Sequence, residues 1–99
     1  MSKKIFMKAD ASQAKKSRVL VKYDVGFGNI LFIRGQGAGL NWEKGQMMKN
    51  LSKDEWVWET DLSFNACEFK VLLNDQGFES GDNHKLLQGA NFEYTPRFA

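Results

Sequence analysis

Apolar and polar residues alternate along much of the chain, most clearly over Cys67–Leu72. Cys67, Phe69 and Val71 share one parity and Glu68, Lys70 and Leu72 the other, which is the two-residue period of a half-buried strand. Asn74-Asp75-Gln76-Gly77 then supplies turn chemistry, and Phe78-Glu79 resumes on a short return strand. With Cys67, Phe69 and Val71 facing inward, Lys70 faces outward and Phe78 stands just past the turn. Ser17–Val25 repeats the pattern, with Val19, Val21, Tyr23 and Val25 on the inner parity. Ile30–Arg34 is nearly continuous in apolar residues, as in a central strand. Trp56, Trp58, Thr60 and Leu62 share one face of the next strand, opposite Val57, Glu59 and Asp61. Phe92 and Tyr94 take the inner parity of the last strand, which Pro96 ends, and Phe98 packs the sheet end.

The connections are read from their turn residues. Gly26-Phe27-Gly28-Asn29 is a loop in which Phe27 is either an exposed contact or a plug over the end of the core, the plug being slightly preferred. Gly35–Gly45 is a tight loop that lifts Leu40 and Trp42 to the sandwich edge, where Trp42 either offers a broad face or folds back as a lid. Met47 and Met48 fill gaps where the loop rejoins the domain, and Asn50–Glu55 reads as a polar turn. Ser80–Lys85 is a loop, after which Leu86 and Leu87 return to the interior. At the start, Lys4–Lys8 reads as a short edge strand and Asp10–Lys16 as a loop or one helical turn. The division is an arm over 1–16 and a β-sandwich of about seven strands over 17–99.

Composition narrows the function. Ninety-nine residues with 42% hydrophobic content support one domain with one modest core. No apolar run is long enough to span a bilayer, and no signal-peptide pattern opens the chain, so a cytoplasmic location is expected. The one cysteine, Cys67, rules out an internal disulfide and reads as a buried small hydrophobe. Net charge is +2, yet residues 1–25 carry seven basic against two acidic side chains and the remainder seven against ten. Such a basic start suits nucleic acid or an acidic partner, but equally a solvated edge strand, and nucleic acid is not the favoured partner.

Catalytic chemistry finds little support. Glu59 and Glu68 are outward residues of a solvated sheet, and His84 stands without a second metal ligand or a dyad partner at suitable spacing. Glu79 and Asp82 flank a turn and are placed to bond backbone N–H groups or ligand hydroxyls. The glycines of GQGAGLNWEKG lack the GxxxxGK[ST] order of a phosphate loop. The chain is therefore expected not to be an enzyme and to carry no cofactor or metal. A sugar-binding surface fits better. Sugar hydroxyls already bond well to water, so affinity needs an aromatic plane against the C–H face of the ring, with amides, lysine and carboxylates matching hydroxyls around it. Trp42, Lys70, Phe78 and Asn83 are the right types, and the strand order allows them to share one edge. A structural or protein-interaction sandwich, able to form oligomers through its strand edges, is the competing role.

The ordered segments LFIRGQGAGLNW, EWVWETDL and CEFKVLLND followed by GFESGDN resemble the starch-binding modules of carbohydrate-binding module family 20 and the related glycogen-binding modules of family 48. The resemblance covers most of residues 19 to 98. It implies an immunoglobulin-like antiparallel sandwich that binds starch, glycogen or maltooligosaccharides without catalysis, in association with an amylolytic or glycogen-metabolising enzyme. By position, Trp42 looks like the first platform tryptophan, Lys70 like the site lysine and Asn83 like the hydrogen-bonding asparagine. Phe78 stands where a second platform tryptophan is usual, and Trp58 matches a structural tryptophan. Ser80-Gly81-Asp82 departs from the usual Ser-Asp-Pro. The tyrosine pair of a second starch site is not found, so at most one site is expected.

Overall fold

A computed structural model describes residues 16–98. The proposed strand over Lys4–Lys8 and the basic arm lie outside the described residues, as does all but the last residue of the Asp10–Lys16 turn. Nine strands follow in order: β1 Ser17–Lys22, β2 Leu31–Gln36, β3 Gln46–Met47, β4 Lys49–Ser52, β5 Glu55–Thr60, β6 Ala66–Leu73, β7 Gly77–Phe78, β8 His84–Leu87 and β9 Asn91–Tyr94. They form two sheets, β4-β5-β1-β9 and β3-β2-β6-β7, with β8 also paired to β6. Every pairing is antiparallel except that of β9, which runs parallel to β1. The architecture is the all-β sandwich that the alternation predicts.

The core is built from the inner parities. Val19 and Val21 of β1, Leu31 and Ile33 of β2, Phe69 and Val71 of β6 and Leu86 of β8 are essentially fully buried. Each such side chain contributes about 1.5–3 kcal/mol of transfer free energy. Trp56 and Trp58 of β5 complete the opposite wall, and the Trp58 indole N–H donates to Gln46 Oε1 at 2.9 Å, joining the two sheets near their β3 edge. Tyr23 and Phe98 meet at 5.3 Å between ring centres, as expected for a plug at the sheet end.

Several local expectations are corrected. Strand β2 continues through Gly35 to Gln36, which pair with Phe69 and Glu68 of β6, and position 35 requires glycine because a Cβ there would collide with the Glu68 carbonyl oxygen. Asn50–Glu55 is not all turn: β4 runs to Ser52 beside β5, and only Lys53-Asp54 reverses the chain. All four β4 side chains are exposed, so no apolar period marked it. Leu87 is exposed while Leu86 is buried, since neighbours in a strand face opposite ways, and Met47 at the end of β3 is exposed while Met48, between β3 and β4, is buried. Leu62 lies past the end of β5 and is exposed. Phe27 is fully exposed instead of plugging the core.

Candidate functional site

The outer face of the β2–β6 sheet holds the residues singled out for sugar binding. Lys70 lies opposite Arg34 in the β2–β6 register and Leu72 lies opposite Phe78 in the β6–β7 register, so Phe78 and Lys70 share that face two positions apart along β6. Phe78 is 46% exposed and Lys70 is half-buried. Among the described residues Lys70 forms no ion pair. Asn83 is exposed, immediately before the residue that pairs with Phe69, and its amide donates to Glu68 Oε1 at 3.3 Å. Along β6 the order is therefore Phe78, Lys70, Asn83.

Trp42 reaches the same neighbourhood through its backbone. Asn41 shapes its turn by accepting, at its side-chain oxygen, the N–H groups of Glu43 at 2.6 Å and Lys44 at 3.2 Å. Gly35 N–H bonds the Asn41 carbonyl at 3.3 Å, and Arg34 Nη1 donates to the Trp42 carbonyl at 3.1 Å. Trp42 itself is half-buried, so it neither seals the core as a full lid nor stands free. It lines an open groove of about 370 Å³ with Gly35, Gln36, Asn41 and Glu43.

Arg34, lost to sequence reading inside an apolar run, is the hub. Its Nε donates to Asp75 Oδ1 at 2.9 Å and its Nη2 to the Asp75 carbonyl at 3.0 Å, and its guanidinium carbon sits 5.6 Å from the Phe78 ring centre. Asp75 can reach it because Asn74 and Asp75 both take left-handed backbone (φ 56° and 57°), which these residue types tolerate. Asp75 Oδ2 also accepts the Gly45 N–H at 3.3 Å, an approach that a Cβ at position 45 would block. The Arg34 hydrogen bond, opposed by desolvation and aided by Gly45 and Lys44, holds the Asp75 carboxyl below its usual value.

Of the two roles expected for Glu79, the structure shows the backbone one: its Oε2 accepts the Val71 N–H at 2.8 Å, and its side chain, 1% exposed, is not open to ligand hydroxyls. One expectation fails here. His84 is not alone: its Nε2 lies 2.9 Å from Glu79 Oε1, and its ring packs 4.4 Å from Tyr94 between centres. Burial and the neighbouring Glu79 hold the Tyr94 phenol far above its ordinary value. Cys67 is buried, and desolvation raises its thiol. Among the described residues no cluster of His, Cys, Asp and Glu has the makings of a metal site.

A second exposed aromatic lies at a different place. Phe27 projects from between Gly26 and Gly28, both at φ 85°, beside a cavity of about 340 Å³ lined also by Asn29, Asn50 and Trp56. The buried Trp56 indole N–H has no hydrogen-bond partner among the described residues.

No protein-family model and no curated protein matches the chain. Among solved structures it is similar to the glycoside hydrolase family 15 glucoamylase from Hypocrea jecorina, with a TM-score of 0.67 and 17% identity over 86% of this chain. At that identity the likeness shows the shared fold. The chain spans 18% of the glucoamylase's length.

Proposed function

We propose that this domain binds α-glucan (starch, glycogen or maltooligosaccharide) without catalysis, as a module of the carbohydrate-binding family 20 or 48 type. The observation that carries the reading is the outer face of β6, where a lysine with no ionic partner among the described residues stands between an exposed phenyl ring and an exposed amide, with Trp42 tied to the neighbouring Arg34. Phe78 and Trp42 supply apolar faces for pyranose rings, and Lys70 and Asn83 donate to hydroxyls. The structural likeness to part of a glucoamylase agrees with an α-glucan ligand. Docking of this kind concentrates an attached or associated enzyme on the polymer.

Isothermal titration with β-cyclodextrin or maltoheptaose tests the reading. Binding by the wild type, weakened by Trp42→Ala and by Lys70→Ala, is expected. A folded wild type that shows no heat of binding at millimolar ligand defeats it, and a stable oligomer by light scattering would then favour the interaction role. The polar, irregularly paired β4 edge speaks against strand-to-strand association.

The exposed Phe27, with the cavity beside it, favours a second and weaker contact for the same ligand. A second binding step removed by Phe27→Ala is its signature. A stoichiometry of one unaffected by that change excludes it.

A further inference from the structure

Strands β7 and β8 pair with the same edge of β6, β7 at Leu72–Leu73 and β8 at Ala66–Phe69. Between them neither strand pairs with Lys70 or Val71, which on this edge have no strand alongside among the described residues, while β2 pairs with both on the other. Glu79 fills the break. Its N–H donates to the Val71 carbonyl at 3.0 Å, and its Oε2 accepts the Val71 N–H at 2.8 Å. One residue thus makes both bonds that a continuing strand would make through its backbone.

The same carboxylate reaches further. Oε2 accepts the Tyr94 hydroxyl at 2.7 Å and Oε1 lies 2.9 Å from His84 Nε2, so it joins β6, β8 and, through β9, the opposite sheet. An apolar side chain would fill this position without the desolvation cost of a carboxylate. Local chain geometry offers the compensating gain. Strand β7 has only two ladder pairs, and residues 80–83 are exposed. The residues on either side of this anchored point include Phe78 and Asn83, and Lys70 stands in the break.

We propose that Glu79 is a positioning residue of the glucan-binding edge: its buried carboxylate holds the break between β7 and β8 at the width that sets Phe78 and Asn83 on either side of Lys70. The proposal rests on the reading of that edge as an α-glucan site, and its test has one arm that needs no sugar. Amide hydrogen exchange is measured on the free 99-residue chain for wild type, Glu79→Gln and Glu79→Leu, and β-cyclodextrin affinity is measured on the same proteins. Glutamine keeps the bonds: its oxygen accepts from Val71 and Tyr94, and its amide donates to the other His84 tautomer. Leucine keeps the volume and loses them.

Expected for Glu79→Leu are exchange at Val71 and residues 78–83 faster by about tenfold or more, and β-cyclodextrin binding weaker by a similar factor, with Glu79→Gln within about threefold of wild type in both. Val19→Ala, a core change in β1, lowers global stability yet leaves affinity unchanged where the protein is folded, which separates positioning from loss of stability. If Glu79→Leu does not fold, Glu79→Asp, which retracts the carboxylate by one methylene, is read in its place with the same expectation. A folded Leu or Asp variant with wild-type exchange over 78–83 overturns the proposal, whatever the sugar result. Faster exchange together with unchanged sugar affinity also overturns it. If the wild type binds no sugar, the α-glucan reading fails, and this proposal falls with it as a statement about a binding edge, while the exchange result still shows whether Glu79 anchors the segment.

Discussion

The guanidinium carbon of Arg34 lies 5.6 Å from the centre of the Phe78 ring, within cation–π range, while the same group holds Asp75 and the Trp42 carbonyl. One side chain therefore braces both aromatic residues of the proposed platform. Arg34→Ala is expected to cost about 1–3 kcal/mol in denaturant unfolding, because a partly buried carboxylate and a carbonyl lose their donor. Arg34→Lys recovers little of it, since a single ammonium cannot reproduce the planar fork. Asp75 titrates with the same tie. Its depressed carboxyl adds stability that is present above its ordinary value and lost as pH falls through the lowered one. Asp75→Asn should flatten that acid limb in urea midpoints taken below about pH 4.

Phe78 is the smallest-faced member of the platform. Phe78→Trp enlarges the stacking area at a half-exposed position and adds an indole N–H, so affinity for β-cyclodextrin is expected to rise several-fold by titration calorimetry. Asn83→Ala is expected to weaken it, through the lost donor.

The β-sandwich was legible because its inner residues are nearly all apolar and occur at every second position: Val19 and Val21, Leu31 and Ile33, Phe69 and Val71 are all completely buried, although Leu72, on the other parity of β6, is buried as well. Strand β4 escaped notice because none of its side chains is buried, and a strand with two wet faces has no period to read. Trp42, Lys70, Phe78 and Asn83 were recognisable by type, whereas Arg34 was not. Its partner Asp75 is 41 positions away, and only the β2–β6 register and a left-handed turn bring them together. Glu79 looked like a turn carboxylate because nothing local signals that the donors for its oxygens come from β6, β8 and β9.

Tyr94 remains a phenol at alkaline pH, since burial first and the Glu79 carboxylate second oppose its ionisation. A raised value in the folded state means that its contribution is complete below the ordinary value near 10 and is lost as pH rises above it. Tyr94→Phe should lower stability at neutral pH by about 0.5–1.5 kcal/mol and blunt the loss above pH 10, read as thermal midpoints across that range.

Cys67 should be silent to Ellman's reagent in the folded protein below pH 9, its unperturbed value, because burial both raises the thiol and blocks access. One equivalent should react on addition of guanidinium chloride. Rapid labelling without denaturant counts against the buried assignment.

Exposure separates two phenylalanines of equal size. Phe27→Ala is expected to change stability by no more than about 0.5 kcal/mol, whereas Phe69→Ala in the core should cost about 3–5 kcal/mol, both read by chemical denaturation.

The parallel alignment of β9 with β1 has a mechanical consequence. Ser17 and Tyr94 lie toward opposite ends of that strand pair, in the register Arg18–Asn91, Val19–Phe92, Leu20–Glu93 and Val21–Tyr94. Tension applied before the first strand and after the last would pull the two strands past one another along their length, stretching all the rungs together instead of opening them singly. Force transmitted along the chain through this domain would thus meet resistance to sliding, the stiffest direction a sheet offers.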